Sequence, residues 1–117
     1  MAMAANLREA SWITASQLNL SWLAQTLKTK LTQFNNAASA IFDDNTPNDR
    51  PVGNWLVLLE ATASQMPNVQ VPIALFNQAC DQVARITFAG FAALQTARIA
   101  PAKGTALLAA WNAAFGT

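Results

Sequence analysis

The sequence predicts an all-α protein: a small bundle of four helices, or of five if the N-terminal stretch forms a helix of its own. Gly and Pro residues divide the chain into helix-length segments joined by short loops. Within these segments apolar residues recur at intervals of three and four, and no stretch shows sustained β-branched alternation. The chain has 117 residues, a common domain size. We therefore assign 1–117 to a single helical domain.

The first helix is predicted over about 16–42. Its apolar residues follow a 3-4-4-3-4-3 spacing, which places them in one stripe along a helix. Asn6 and Glu9 resemble a capping pair for an earlier turn or helix, and the pattern leaves open whether that piece continues into the main helix. A strand could compete only over 16–22, where polar and apolar residues alternate briefly. The stripe consists of Leu20, Leu23, Leu27, Leu31, Phe34, Ala38 and Ile41.

The second helix is predicted over 55–65, with Asn54 as its N-cap. It is apolar almost all round, with Glu60 and Ser64 as a narrow polar strip, which is typical of a helix in the middle of a fold. A buried carboxylate is costly unless it is paired. We therefore expect Glu60 to reach solvent or an arginine, and an enzyme would instead need it buried in a cleft.

The third helix is predicted from Pro72 or Ile73 to about Arg98, since proline suits the first helical position. The fourth is predicted over about 106–115, with Thr105 as its cap. Breaks rich in Pro and Gly separate these segments, which favours antiparallel packing of neighbours. One side of the third helix carries Ile73, Phe76, Cys80, Val83, Thr87, Gly90 and Leu94.

Composition and charge exclude several classes of function. The chain is 53% hydrophobic and 11% charged, so it can bury a core and does not resemble a disordered chain. Its net charge is +1, and its seven Lys and Arg residues are scattered. Nucleic-acid binding draws most of its strength from clustered cations facing phosphates. The sequence therefore predicts a folded protein that does not bind nucleic acid.

One short segment, 42–54, concentrates charge. Four of the 13 charged residues, seven basic and six acidic in all, lie within eight positions there. An EF-hand calcium loop needs Gly at its sixth position and Glu at its twelfth, and neither Asp43 nor Asp44 as first position meets both requirements. Asn and Asp beside Pro are also typical of turns. We therefore predict a solvated turn and no metal site.

Residues that carry catalysis or bind metals are scarce. The sequence has no His, no Tyr and one Cys, which removes the commonest general base, the Ser–His and Cys–His pairs and the usual zinc ligands. Cys80 falls on the apolar side of the third helix, where a thiol packs as a small hydrophobe. We therefore predict a protein that is not an enzyme, with no catalytic, metal-binding or cofactor-binding residue.

The sequence also bears on location. No apolar run approaches the 18 residues that a membrane span needs, and the N-terminal residues lack the pattern of a signal peptide. A single cysteine cannot form an intrachain disulfide, which fits a reducing compartment. These features predict no membrane span and a place in the cytoplasm, or in a particle assembled there.

Large apolar residues on predicted polar faces indicate a protein interface. Leu18 and Trp22 are four apart and lie opposite the leucine stripe, and Phe88 projects among polar residues of the third helix. The fourth helix has no charged side chain, and Trp111 is its largest apolar residue. Charged residues are depleted from interface cores, and Trp is enriched at hot spots. We therefore predict Leu18, Trp22, Phe88 and Trp111 as interface residues.

These observations favour a non-catalytic structural subunit of a larger oligomeric particle, for example a phage virion component. Its partners would be further copies of the chain or other protein subunits. The alternative is a small helical binding module that holds an apolar ligand, a hydrophobic surface or a partner helix. In that case Phe76, Phe91 and Trp111 are the candidate lining residues.

Overall fold

The computed structural model describes residues 23–43, 47–69 and 71–116. In these ranges it contains α-helices and a 3-10 turn, and no β-strand. The predicted all-α bundle is therefore confirmed. The helices are α1 (Leu23–Ile41), α2 (Arg50–Ser64), α3 (Ile73–Thr96) and α4 (Pro101–Phe115), and the 3-10 turn Pro47–Asp49 leads directly into α2.

Two helices begin earlier than predicted. α2 starts at Arg50 and α4 at Pro101, each about five residues before its predicted start. Pro51 and Pro101 lie in the first turns, where the missing N–H is not needed and the fixed φ suits a helix. The predicted caps at Asn54 and Thr105 are therefore wrong, because both residues lie inside helices.

α3 ends close to its predicted boundary. Its last residue is Thr96, and Arg98 then takes a left-handed backbone conformation with φ 56°. A residue in this conformation just past a helix turns the chain away from the helix axis. A link of four residues, 97–100, then connects α3 to α4.

The order of packing differs from the order along the chain. α1 packs most extensively against α4 and α2, and α2 packs against α3 as well. α2 therefore lies between α1 and α3, with α4 on another side of α1. α3 makes far less contact with α1 than with α2.

The core is built from the predicted stripes. Leu27, Leu31, Phe34 and Ala38 of α1 are fully buried, as the spacing predicts. On α3, buried Phe76, Cys80, Val83 and Thr87 follow the predicted side, but Ile73 at the start of the helix is exposed. At the centre, aromatic rings from all four helices contact one another with centroids 4.4–6.1 Å apart. Such pairs add about 0.5–1.5 kcal/mol each beyond the area they bury. We call Phe34, Trp55, Phe91, Trp111 and Phe115 the aromatic cluster.

An ion pair ties the start of α2 to the start of α4. The Nζ of Lys103 donates a hydrogen bond to Oδ2 of Asp49 at 2.7 Å, and it lies 5.5 Å from the Phe42 ring centroid. Asp49 is only 6% exposed. The prediction that 42–54 is a solvated turn is therefore wrong for its second half. That half forms the 3-10 turn and the first turn of α2, and its carboxylate is a buried structural contact.

Candidate interaction surface

The four predicted interface residues have different positions. Leu18 and Trp22 lie outside the described residues. Phe88 is 48% exposed on α3. Trp111 is fully buried, and its ring meets Phe34 edge to face with centroids 5.1 Å apart. Trp111 is therefore removed from the predicted contact set: α4 packs its Leu107, Trp111 and Phe115 side against α1, and that apolar face belongs to the core.

Another exposed apolar surface was not predicted. α2 was expected in the middle of the fold, yet Val57 is 67% exposed and Leu58 is 52% exposed. α2 has neighbours on two flanks, α1 and α3, but no other described residue covers its outward side. α2 does lie between α1 and α3, as the sequence indicates, but one apolar side of it remains exposed. The exposed residues Gly53, Val57 and Ala61 follow one another at intervals of four, and so form one uncharged line, which we call the α2 ridge.

An apolar groove runs along one flank of the ridge, between α2 and α3. It has a volume of about 520 Å³. Its floor is made by Trp55 and Gly90: a Cβ atom at position 90 would overlap the Trp55 indole, so the two helices approach each other closely there. Arg85 is its one charged residue. The lining residues are Asn54, Trp55, Leu58, Arg85, Ile86, Ala89, Gly90 and Ala93.

A polar cleft runs along the other flank, between α1 and α2. Leu58 and Glu60 lie on opposite flanks of the ridge, because two residues turn a helix by about 200°. The cleft has a volume of about 340 Å³. Glu60 is exposed beside it, so its carboxylate reaches solvent, as the sequence favoured. The lining residues are Lys28, Thr32, Asn35, Asn36, Ser39, Glu60, Ala63 and Ser64.

Two hydroxyl groups of the polar cleft donate their protons to backbone carbonyls. Thr32 Oγ1 donates to the Lys28 carbonyl at 2.9 Å, and Ser64 Oγ donates to the Ala61 carbonyl at 2.8 Å. Lys28 Nζ points to the Met66 carbonyl at 3.2 Å. Asn35 is 8% exposed, and its buried Oδ1 has no hydrogen-bond partner. Because the protons of Thr32 and Ser64 are already donated, these two hydroxyl oxygens can only accept further hydrogen bonds, as can the Glu60 carboxylate.

Phe88 lies on neither flank of the ridge. It follows Ile86 by two residues, which places the two side chains about 160° apart around α3. Ile86 lines the apolar groove, so Phe88 points away from it. The interface prediction for Phe88 thus concerns a separate surface, and its exposure leaves it accessible there.

The remaining candidate features are the cysteine, metal-binding groups and membrane-spanning helices. Cys80 is buried in the core, where the sequence placed it as a small hydrophobe. Within 23–43, 47–69 and 71–116, His, Cys, Asp and Glu side chains form no group of three that could hold a metal ion. Of the helices described, none is both long enough and apolar enough to cross a membrane.

Comparisons of the chain with protein-family models, with curated protein sequences and with solved structures each found no match. No relative therefore supplies a role for the ridge, the groove or the cleft.

Small residues on α3 are a feature of the sequence that indicates this surface. Gly90 with Ala89 and Ala93 marks a place on α3 where a neighbouring helix can approach closely. An almost uniformly apolar α2 has more apolar surface than two neighbours can cover. Taken together, these features indicate a shallow groove beside an exposed helix face.

Proposed function

We propose that this chain is a non-catalytic structural subunit that associates with further copies of itself through the α2 ridge and the apolar groove. The observation that carries the proposal is the exposure of Val57 and Leu58, 67% and 52%, in the middle of a well-formed helix. A larger particle, such as a phage virion, is the setting we propose for it. A place in the cytoplasm, or in a particle assembled there, remains a prediction from the sequence.

The exposed residues form a surface and are not scattered. A single exposed apolar side chain is normal on a folded protein, whereas a contiguous apolar patch marks an interaction site. Leu58 belongs both to the exposed face of α2 and to the lining of the groove, which continues through Ile86 and Ala89 onto α3. Each Å² of this area that is removed from water contributes roughly 25 cal/mol. The surface therefore favours a partner that supplies an apolar side chain.

A second copy fits this surface best. A two-fold contact joins the same patch of both copies, and here the ridge and the groove form one continuous apolar patch. The net charge of +1 means that two copies repel each other very little. Proteins with net charge near zero are the ones prone to associate.

The test is the solution mass measured by light scattering across a dilution series. We expect the wild-type chain to form a dimer or larger species, and Val57→Asp to be a monomer with unchanged helical circular dichroism, because a buried unpaired carboxylate opposes the contact. Val69→Asp is the matched control, since Val69 is 62% exposed in the link between α2 and α3. A wild-type chain that stays monomeric at every concentration contradicts the proposal, and so does a Val57→Asp variant that still associates.

A second candidate is a small binding module, favoured by the volume and apolar lining of the groove. Phe76 and Trp111, two of the predicted lining residues, are buried, and Phe91 is partly buried within the aromatic cluster. A ligand would therefore contact the groove over Trp55 and Leu58. A monomeric chain that binds a fluorescent apolar dye in its folded state, and loses the binding in Leu58→Asp, supports this candidate over self-association.

A further inference from the structure

We propose that, in the self-associated form, the partner's Arg85 enters the polar cleft between α1 and α2 and pairs with Glu60. By symmetry, Arg85 of the first copy pairs with the partner's Glu60. This inference rests on the self-association proposed above, and it adds the arrangement of the two copies and the polar contact that selects it. The two residues are exposed within one chain, and no described residue forms an ion pair with either of them.

The polar cleft calls for hydrogen-bond donors. The hydroxyl protons of Thr32 and Ser64, two of its lining residues, are already donated to backbone carbonyls. The Glu60 carboxylate adds two more acceptor atoms. Lys28 is the one cation that lines the cleft, and its ammonium is already bonded to the Met66 carbonyl. A group that carries several N–H donors and a positive charge therefore suits this cleft.

The groove on the opposite flank carries such a group. Arg85 is the one charged residue among the lining residues of the groove, and it is exposed. A guanidinium is planar, stays charged and offers five N–H donors in a fixed fork, which matches a carboxylate with two parallel bonds. Each copy thus presents a donor on one flank of the α2 ridge and an acceptor-rich cleft on the other.

Symmetry decides which flanks meet. When two copies stack through their ridges about a two-fold axis parallel to α2, the groove flank of each copy lies over the cleft flank of the other. α3 of the partner then lies over the cleft between α1 and α2. A two-fold axis across α2 would instead stack groove on groove and bring two Arg85 side chains together, and like charges in contact oppose association. The parallel arrangement is therefore the one that charge favours.

The heights of the two groups also match. Gly90 of α3 packs against Trp55 of α2. Arg85 precedes Gly90 by five residues and Glu60 follows Trp55 by five, so on antiparallel helices both lie about 7.5 Å from this contact in the same direction. A two-fold axis parallel to α2 leaves height along the helix unchanged. The partner's Arg85 therefore arrives at about the level of Glu60. Arg50 lies one turn before the ridge, at the start of α2. Its long side chain is exposed and can extend into solvent, so it does not prevent the two ridges from meeting.

Charge reversal tests the pair. We expect Glu60→Lys and Arg85→Glu each to raise the dissociation constant of the dimer about tenfold or more, since truncating or opposing one partner of an interfacial pair weakens binding strongly. The variant that carries both changes restores the pair with the charges exchanged, so its dissociation constant should return toward the wild-type value. Asp43→Lys and Arg98→Glu are matched controls, because they make the same charge changes at exposed positions off this surface.

Cysteine cross-linking tests the direction of the helices. In the parallel arrangement position 61 faces position 61 of the partner, so we expect Ala61→Cys to form a disulfide-linked dimer under mild oxidation. In the antiparallel arrangement position 61 faces position 53, and only a mixture of Ala61→Cys and Gly53→Cys chains would link. The native Cys80 is buried and does not compete. Linking of the mixture alone overturns the inference.

The outcomes separate this inference from the function proposed above. A wild-type chain that is monomeric at every concentration overturns both. A wild-type dimer that is disrupted by Val57→Asp but unaffected by Glu60→Lys and Arg85→Glu overturns the Arg85–Glu60 pairing and leaves self-association standing. Loss of the dimer in each single charge variant, with recovery in the double variant, supports the pairing.

Discussion

The residues around Trp111 and those on the outward side of α2 are equally apolar in sequence, but the first group is buried and the second is exposed to solvent. Trp111 and Phe34 are fully buried within the aromatic cluster. Val57 and Leu58 lie at the centre of an equally regular helix and are mostly exposed. The core is thus complete without the ridge. Apolar residues that the fold does not use for its own packing are available for a partner, which is why the ridge is the better interface candidate.

The two regions also differ in how their polar atoms are satisfied. In the interior, the indole nitrogens of Trp55 and Trp111 are buried without a hydrogen-bond acceptor. A buried polar group without a partner costs about 1–3 kcal/mol, so apolar packing must offset that loss inside the cluster. On the outside, the acceptors of the polar cleft can be satisfied by a partner. The stability of the interior therefore depends on the packing of its side chains. Association at the surface depends on hydrogen-bond donors that the partner supplies.

The largest expected effect tests the interior. Trp111→Ala should lower the free energy of unfolding by about 3–5 kcal/mol, because it leaves a cavity in the aromatic cluster. Phe88→Ala is the matched control, since it removes an aromatic ring that is half exposed, and we expect a loss of about 1 kcal/mol. Urea unfolding followed by circular dichroism measures both. Equal losses would mean that the two aromatics are equally buried, contrary to the structure.

The next effect concerns the contact between α2 and α4. Lys103→Met should lower the free energy of unfolding by about 3 kcal/mol, the low end of the range for breaking a buried pair, because it removes the cation that contacts the buried Asp49 carboxylate at 2.7 Å. Lys30→Met is the control, and a change within about 0.5 kcal/mol is expected for it. Thermal unfolding of the two variants compares them. A similar small change in both would show that the ion pair contributes little.

The smallest expected effect lies at the boundary between interior and surface. Gly90→Ala should destabilise the fold by about 1–2 kcal/mol, because the added methyl group overlaps the Trp55 indole and this outweighs the gain in helix propensity. Gly104→Ala is the matched control with the opposite sign: nothing lies within 4 Å of a Cβ there, so a gain of about 0.5–1 kcal/mol is expected. Chemical unfolding decides the sign. Stabilisation by Gly90→Ala would mean that Trp55 does not pack on this glycine.

Much of the fold could be predicted from local patterns. The α1 stripe through Leu27, Leu31, Phe34 and Ala38 is buried as its spacing indicates, because residues three and four apart share one face of a helix. The position of Cys80 in the core follows from the same rule. Helix starts were less predictable. Proline marks a break and also suits a first turn, and the second property prevailed at Pro51 and Pro101.

The candidate surface could not be predicted in the same way. The sequence placed Trp111 at an interface and α2 in the middle of the fold, whereas the structure buries Trp111 and leaves one side of α2 exposed. The sequence of an apolar helix face does not indicate whether the same chain or another chain covers that face. Asp49 shows the same limit for charge, since its partner, Lys103, is 54 residues away along the chain.

The sequence by itself therefore determined the helices, their apolar sides and the scarcity of catalytic side chains, because these depend on residue type and on spacing within a few turns. Only the tertiary structure decided that α4 completes the core, that the α2 ridge remains exposed and that a groove and a cleft flank it. Those outcomes depend on which helices become neighbours. Helix neighbours are chosen by packing over the whole chain, which no local pattern contains.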